Sequence, residues 1–463
     1  MGGAFLGAPG GQSAGAEKSQ GSGTVRELDL SAIPNFCAHE HWGSVSAIGM
    51  SDEGFRADTE AGAVPSRAVS IWDLVLDPYH GGWIGATGAN VSKMAEKAGA
   101  SDVIDWWRQR PEEALGALRP HLQRQQFTGA FQCIRRGAAY LHGADIGSFD
   151  VDAWQRADEA VSKAYSHIFG WYAEAMEKAH FTELIRPVHP EFFVRGQGRG
   201  AAKEERAFTH SIMRIDPLME LWKQDCPRRD GLSEIAGVEP RDAKSWRAFI
   251  DALFSLAEEH GTTGIKQLQA YSRPLDFDKR KDSDVLWSGD LSDEEVIVFQ
   301  DWVMNECCKQ AHERGWPHQV HVGTHNLGES SPTPLAALAH RYPKQKIVML
   351  HCWPFLDECG WLAKHHHNVY IDTCWQLILN PMFYAESMAR WLNYVPSHKI
   401  MCSHDATSVE MAVGSSLFTR ELLAQALGTQ AAPIAPSEAA LYELATDLLH
   451  NNAVDVYGIG ERR

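Results

Sequence analysis

The stretch HQVHVGTHNLGESSPTPLAALAHRYPKQKIVMLHCWPFLDECGWLAKHHHNVYIDT, residues 318–373, decides how this chain is read. It holds three short apolar runs, HQVHV (318–322), KIVMLH (346–351) and NVYID (368–372). Each is too short for a helix, and their Val and Ile content fits strands of a parallel sheet buried on both faces. TPLAALAHRYP (333–343) and ECGWLAKHHH (358–367) fill the two gaps with stretches of helical length. Just upstream, SDEEVIVFQDWVMNECCKQAHERG (292–315) opens with Ser292 and Glu295 at capping-box spacing and predicts a helix running into the first strand.

Outward from this stretch the pattern continues. KIMCS (399–403) follows it, and IPNFCAH (33–39), TELIRPV (182–188), FTHSIMR (208–214) and TGIKQLQ (263–269) precede it. Eight strands alternating with helices argue for an α/β fold, a TIM (β/α)8 barrel. The segment from about 45 to 180 is too long for one crossover and is rich in helix formers and Trp, as in AWQRADEAVSKAYSHIFGWYAEAMEKA (153–179). It predicts a mostly helical insertion after strand one. Loops after strands build the working face of a barrel, so this insertion is expected to form a lid or pocket wall, with 217–248 adding to it. Residues 1–24 are a Gly- and Ser-rich leader, expected to be flexible and to carry no chemistry, and 25–463 read as one domain.

The charge balance narrows the partners. Lys plus Arg number 43 against 60 for Asp plus Glu, a net charge of −17. Such a surface repels phosphate backbones and anionic membranes, leaving a small molecule as the expected partner. No apolar run reaches the length of a membrane span. The nine cysteines form no CxxC pair, and Cys37, Cys352, Cys374 and Cys402 lie inside apolar runs. They read as reduced, buried thiols of a cytoplasmic protein. Pairing of copies through the insertion, giving a homo-oligomer, stays open.

The residues that carry chemistry sit at strand ends. His39-Glu40-His41 follows the first run, and side chains at i and i+2 of an extended segment point the same way. Alone, such a pair fits a metal site or two histidines bonded to nearby backbone. His321, His351 and Asp405 end three later strands, and strand ends of a barrel converge on one face. Histidines with a carboxylate make a nitrogen and oxygen set suited to zinc, manganese or iron. His325, four residues past His321, either lines the pocket or caps a loop. His365 to His367 read as a solvated face. Trp42, Trp83, Trp353 and Trp375 are pocket-wall or core residues. GGWIGATGAN (81–90) lacks the Lys-Ser/Thr of a phosphate loop.

Several segments resemble a known family. RIDPLMELW (214–222), GIKQLQAYSRPLDF (264–277), QVHVGTHN (319–326), the run 342–373 and HKIMCSHDA (398–406) are similar to the amidohydrolase superfamily, in its amidohydrolase-related branch. RPHLQRQQFTGAFQCIRRGAAYLHG (119–143) also looks like that branch, which includes the amidohydrolase-like half of FluG-type proteins; uronate isomerases are more distant relatives. The resemblance implies that His39, His41, His321 and Asp405 bind one divalent ion, zinc first, with manganese or iron open. It implies a hydrolase working through a metal-activated water, with Asp405 as general base and His351 as second ligand or carbonyl-polarising group. Lys266 stands where binuclear members carry a carboxylated lysine; a free ammonium holding a substrate carboxylate is the favoured reading, and a second metal follows only from carboxylation. Arg273 and His325 are further expected substrate contacts. His404 departs from the branch, which has a small residue before the Asp, and an imidazole there is expected to tune Asp405 or occupy the pocket. The substrate would be a small acidic amide, ester or lactone. A decarboxylase or uronate-type isomerase on the same site, or a silent binding barrel, are the alternatives.

Overall fold

The computed structural model describes residues 27–41, 70–166, 168–193 and 209–463. The leader, Trp42, the first part of the insertion and Phe208 lie outside these residues, as does the side chain of Trp83. Eight strands form one sheet: β1 (Asn35–Cys37), β2 (Phe181–Val188), β3 (Thr209–Arg214), β4 (Ile265–Gln267), β5 (His318–His321), β6 (Ile347–Leu350), β7 (Val369–Asp372) and β8 (Ile400–Met401). They are parallel and lie in sequence order, the arrangement that βα units impose when each crossover returns the chain to the next position. All eight expected strands are present. The helix after β4 spans Asp293–Arg314 and starts at Ser292, whose hydroxyl and Glu295 form the expected reciprocal cap.

The curled sheet closes at the seam between β8 and β1. Asp405 N–H donates to His39 O and His41 N–H to Ala406 O, both at 3.0 Å. Ser403 Oγ accepts from Ala38 N–H at 2.8 Å, and the buried Glu40 carboxylate accepts from Ala406 N–H at 2.8 Å. These bonds tie together the two loops that carry His39, His41 and Asp405. Lower in the seam the C-terminal segment takes over. Cys402 N–H donates to Leu448 O at 3.1 Å, and Asn452 Nδ2 donates to Ile400 O at 2.8 Å. Phe36, Ile185, Ile212, Val348 and Met401 from five strands pack in one buried cluster with Ala453, Val456, Tyr457 and Ile459. The helix Asn452–Tyr457 is therefore part of the barrel interior.

Between β1 and β2 the described residues form eight α-helices, from Ile71–Val75 to Ile168–Lys178. The expected helical insertion is thus observed. One of its helices, Gly129–His142, packs directly on Val409–Ala426, the helix after β8. A Cβ on Gly137 would stand 1.8 Å from Glu410 O, and one on Gly414 would stand 1.7 Å from Cys133 O, so only glycine allows this approach. Glu410, buried beneath, accepts from Tyr165 OH at 2.8 Å and lies 2.9 Å from His142 Nε2. This joint fixes the insertion over the C-terminal ends of the strands.

Candidate metal centre

Seven non-glycine residues have a positive φ among the described residues, and five of them follow β5 to β8: Thr324, His351, Cys352, Trp375 and Asp405. Strained backbone of this kind persists where the surroundings enforce it, commonly at working sites. The reason is visible at His351. Leu350 already points into the barrel interior, so strict alternation would turn the next side chain outward. Left-handed φ of 65° at His351 and 60° at Cys352 redirects the chain, and the imidazole ends buried beside Asp405, with Nδ1 3.5 Å from Oδ2.

His39 and His41 meet Asp405 from the other side of the seam. His39 Nε2 lies 3.8 Å from Asp405 Oδ2, and His41 Nε2 lies 3.4 Å from Oδ1. Their rings stand edge to face, with centroids 5.0 Å apart. Gln319 accepts from His39 Nδ1–H at 2.6 Å, while its amide NH2 donates to Ala38 O at 2.6 Å and to Tyr457 OH at 2.7 Å. With Nδ1 carrying the proton, the His39 Nε2 lone pair faces the site. Lys266, buried on β4, donates to that lone pair at 3.3 Å. Tyr79, from the insertion, donates to Asp405 Oδ1 at 3.2 Å.

Burial sets the charge states. It pushes Asp405 up to about 7, against the lowering effects of Lys266 and the Tyr79 hydroxyl. It lowers Lys266 to about 8, with Asp405 working in the opposite direction. His39, His41 and His321 fall well below the ordinary histidine value through burial and neighbouring positive groups, and His351 falls to about 3. The imidazoles are therefore neutral, as metal ligands must be.

His39, His41 and Asp405 have donor atoms within 4.8 Å of one another, and so do His351, Cys374 and Asp405. The first group fits a divalent ion: two neutral imidazoles, one held in the correct tautomer, and a buried carboxylate. The second fits less well, because His351 Nδ1 donates to Cys374 O at 3.0 Å and so lacks a free lone pair. His321 is not in either group. Its Nδ1 faces His351 Nε2 at 2.9 Å and its Nε2 faces Thr324 Oγ1 at 2.6 Å, so both ring nitrogens are engaged.

Two of the expected residues are engaged elsewhere in the structure. Arg273 is buried, but its guanidinium donates to Asp301 at 2.7 Å and lies over the Phe277 ring, 4.7 Å from its centroid. It anchors the loop after β4 to helix Asp293–Arg314 and is not brought to the metal cluster. His404 does not line the pocket among the described residues. Its ring points the other way, with Nε2 3.2 Å from Asn35 Oδ1, Nδ1 3.3 Å from Ser415 Oγ and Phe181 edge-on at 5.5 Å. His325 does line the pocket, with Tyr79, Tyr271, Trp353, Trp375 and Leu379 around a cavity of about 440 Å³. Gln319, two residues before His321 on the same strand, was discoverable from alternation; Tyr79 and Cys374 carried no local signal.

Comparison with known proteins places this geometry. The amidohydrolase family model matches residues 248–459, the part of the chain that holds β4 to β8. The comparison with curated proteins finds no match. Among solved structures, the uronate isomerase of Thermotoga maritima superposes with a TM-score of 0.69 at 13% identity, covering 92% of this chain and 95% of that one. The glucuronate isomerase of Caulobacter crescentus gives 0.67 at 15%, covering 94% and 93%. A candidate metal-dependent hydrolase from Lactobacillus casei ATCC 334 gives 0.59 at 16%, covering 93% and 96%. At these identities the likeness is one of fold, and it runs along the chain as a whole. The family match over β4 to β8 and this shared barrel fold make the chain similar to members of the amidohydrolase superfamily.

Proposed function

We propose that the protein is a zinc-dependent hydrolase that cleaves an amide, ester or lactone bond in a small acidic molecule. The observation that carries this reading is the meeting of His39 Nε2 and His41 Nε2 on the buried Asp405 carboxylate, at 3.8 and 3.4 Å. When bound there, the ion supplies a water whose pKa is lowered toward about 7 and a positive charge for the carbonyl oxygen.

The chain's own groups do the rest. Asp405 takes the proton of the attacking water and returns it to the leaving group. Tyr79, donating to Oδ1, keeps that carboxylate turned toward the site. Lys266 holds the acidic group of the substrate as a free ammonium. His351, whose Nδ1–H is given to Cys374 O and whose Nε2 keeps its lone pair, is assigned as a further ligand. His321 is assigned as a further ligand, recruited by exchanging its contact with His351. His325 meets the outer part of the substrate at the pocket mouth. The nine cysteines, all free and buried, suit a reducing compartment such as the cytoplasm. Among the described residues no helix is long and apolar enough to cross a membrane.

Isomerisation of a uronate is the second reading, favoured by the whole-chain likeness to two uronate-type isomerases; decarboxylation would use the same ligands. Mass spectrometry of products from zinc-loaded protein, incubated with acidic amides, lactones and uronates, separates them. The hydrolase reading expects products that gain water, with the reaction stopped by chelator. Products of unchanged mass from uronates alone would replace it with isomerisation, and loss of carbon dioxide with decarboxylation.

A further inference from the structure

Above the metal centre the pocket wall is a continuous array of rings. Tyr79 packs on Trp375 with centroids 4.7 Å apart, Trp375 on His325 at 5.8 Å and near parallel, and His325 on Tyr271 at 4.6 Å. Tyr271 also lies 4.3 Å from His321, and Trp375 lies 5.3 Å from His351, so the array rests on the histidines below it. Trp353 and Leu379 complete the wall, and the cavity of about 440 Å³ has room for one ring and its substituents. Among the described residues no Lys, Arg, Asp or Glu lines it.

Polar partners in this wall are few. The Tyr79 hydroxyl is committed to Asp405 Oδ1. Thr324 Oγ1 already stands 2.6 Å from His321 Nε2 and 2.9 Å from His325 Nδ1. One buried donor of the wall lacks an acceptor: Trp375 is 7% exposed, and its Nε1 has no hydrogen-bond partner among the described residues. A buried N–H without an acceptor is unfavourable, and a ligand acceptor would relieve it.

We infer that the outer pocket selects a flat, apolar ring carrying one in-plane hydrogen-bond acceptor, so that the substrates are aromatic or conjugated acids and their acyl derivatives, with Trp375 and Tyr271 as the specificity-determining residues. Aromatic faces prefer other π faces in offset or edge geometry, and this wall offers several at once. A hexuronate is disfavoured for the complementary reason. It has a hydroxyl on nearly every ring carbon, and each would lose its water partners without gaining one here. The inference rests on the reading that substrate binds beside Asp405, and it is indifferent to which bond is broken.

The test compares three carboxylates of equal charge, benzoate, cyclohexanecarboxylate and D-glucuronate, by calorimetric titration of zinc-loaded protein. Benzoate is expected to bind about 3- to 10-fold more tightly than cyclohexanecarboxylate, the gain typical of aromatic stacking, with glucuronate weakest. Trp375→Leu and Tyr271→Leu should each erase most of the benzoate advantage and leave cyclohexanecarboxylate little changed. If Trp375→Leu does not fold, Tyr271→Leu decides, since that ring is 41% exposed. Tightest binding by glucuronate, or a benzoate advantage that survives Tyr271→Leu in folded protein, overturns the inference. A benzoate preference in a protein that hydrolyses no aryl amide or ester would instead keep the ring selectivity and remove the hydrolase reading.

Discussion

Replacing Gln319 by leucine tests the organisation of the site without touching a metal ligand. Leucine is close in size, so the barrel interior stays filled, but three hydrogen bonds disappear: one from His39 Nδ1 and two from the amide to Ala38 O and Tyr457 OH, at 2.6, 2.6 and 2.7 Å. The first loss frees the imidazole to rotate and to place its proton on Nε2, the atom that faces the site. Removing such an orienting partner costs about 10- to 100-fold in metal affinity, or roughly 1.4 to 2.7 kcal/mol. The other two losses leave a buried carbonyl and a buried hydroxyl unpaired, at about 1 to 3 kcal/mol each in folding stability. Gln319→Glu separates the effects. A carboxylate still accepts from His39 Nδ1–H, so zinc affinity should hold, but it cannot donate to Ala38 O, so stability should fall. Competition against chelators of graded affinity gives the zinc constants, and urea unfolding of the apoprotein gives the stabilities. Wild-type zinc affinity in Gln319→Leu would refute the claim that this amide sets the His39 tautomer.

Three further outcomes follow from the packing and the buried charges. Gly137→Ala should lower thermal stability by about 1 to 3 kcal/mol or more, as overpacking does, because its Cβ would stand 1.8 Å from the Glu410 carbonyl and the two helices must separate; an unchanged melting temperature would contradict the joint. Arg273→Ala should destabilise the fold by about 1 to 3 kcal/mol through the loss of a buried charge-assisted bond yet leave substrate KM unaltered, since the guanidinium is committed to Asp301, which retains Arg280 at 2.7 Å; a raised KM with unchanged stability would establish it as a substrate contact. The apoprotein should lose stability as pH falls below about 6.5. Burial lowers His318, His351 and His404 to about 3, so between that value and the unfolded value of 6.5 the unfolded chain binds more protons. Each pH unit in that window costs about 1.4 kcal/mol per histidine, and His318→Leu should remove one proton from the slope measured by urea unfolding at stepped pH.

The barrel was legible because its strands announce themselves. Runs such as IVML in β6 and VYID in β7 are Val- and Ile-rich and bounded by polar residues, a pattern that buried parallel strands require. The cluster of candidate ligands was legible for a related reason: His39, His41 and Asp405 each follow a strand closely, and the curling of the sheet brings them together. Side-chain direction was harder to read. Sequence shows His404 next to Asp405, but adjacent residues face opposite ways, and its ring went to Asn35 and Ser415. Arg273 looked available after β4, while its partner Asp301 lies on the following helix, 28 residues along the chain. His321 ends the right strand, yet its two nitrogens are taken by His351 and Thr324, which only the folded loops bring near. Tyr79 reaches Asp405 across 326 residues from inside an insertion whose local sequence has no feature of a site residue.

The central claim, that this barrel holds one divalent ion on His39, His41 and Asp405, is tested most directly by metal content. Elemental mass spectrometry on the wild type and on Asp405→Ala, each reconstituted with zinc and desalted, should find about one zinc per wild-type chain, the occupancy of a single catalytic site, and little in the variant. Two per wild-type chain would contradict the single-ion centre. None in the wild type, or as much in Asp405→Ala as in the wild type, would contradict the metal site itself.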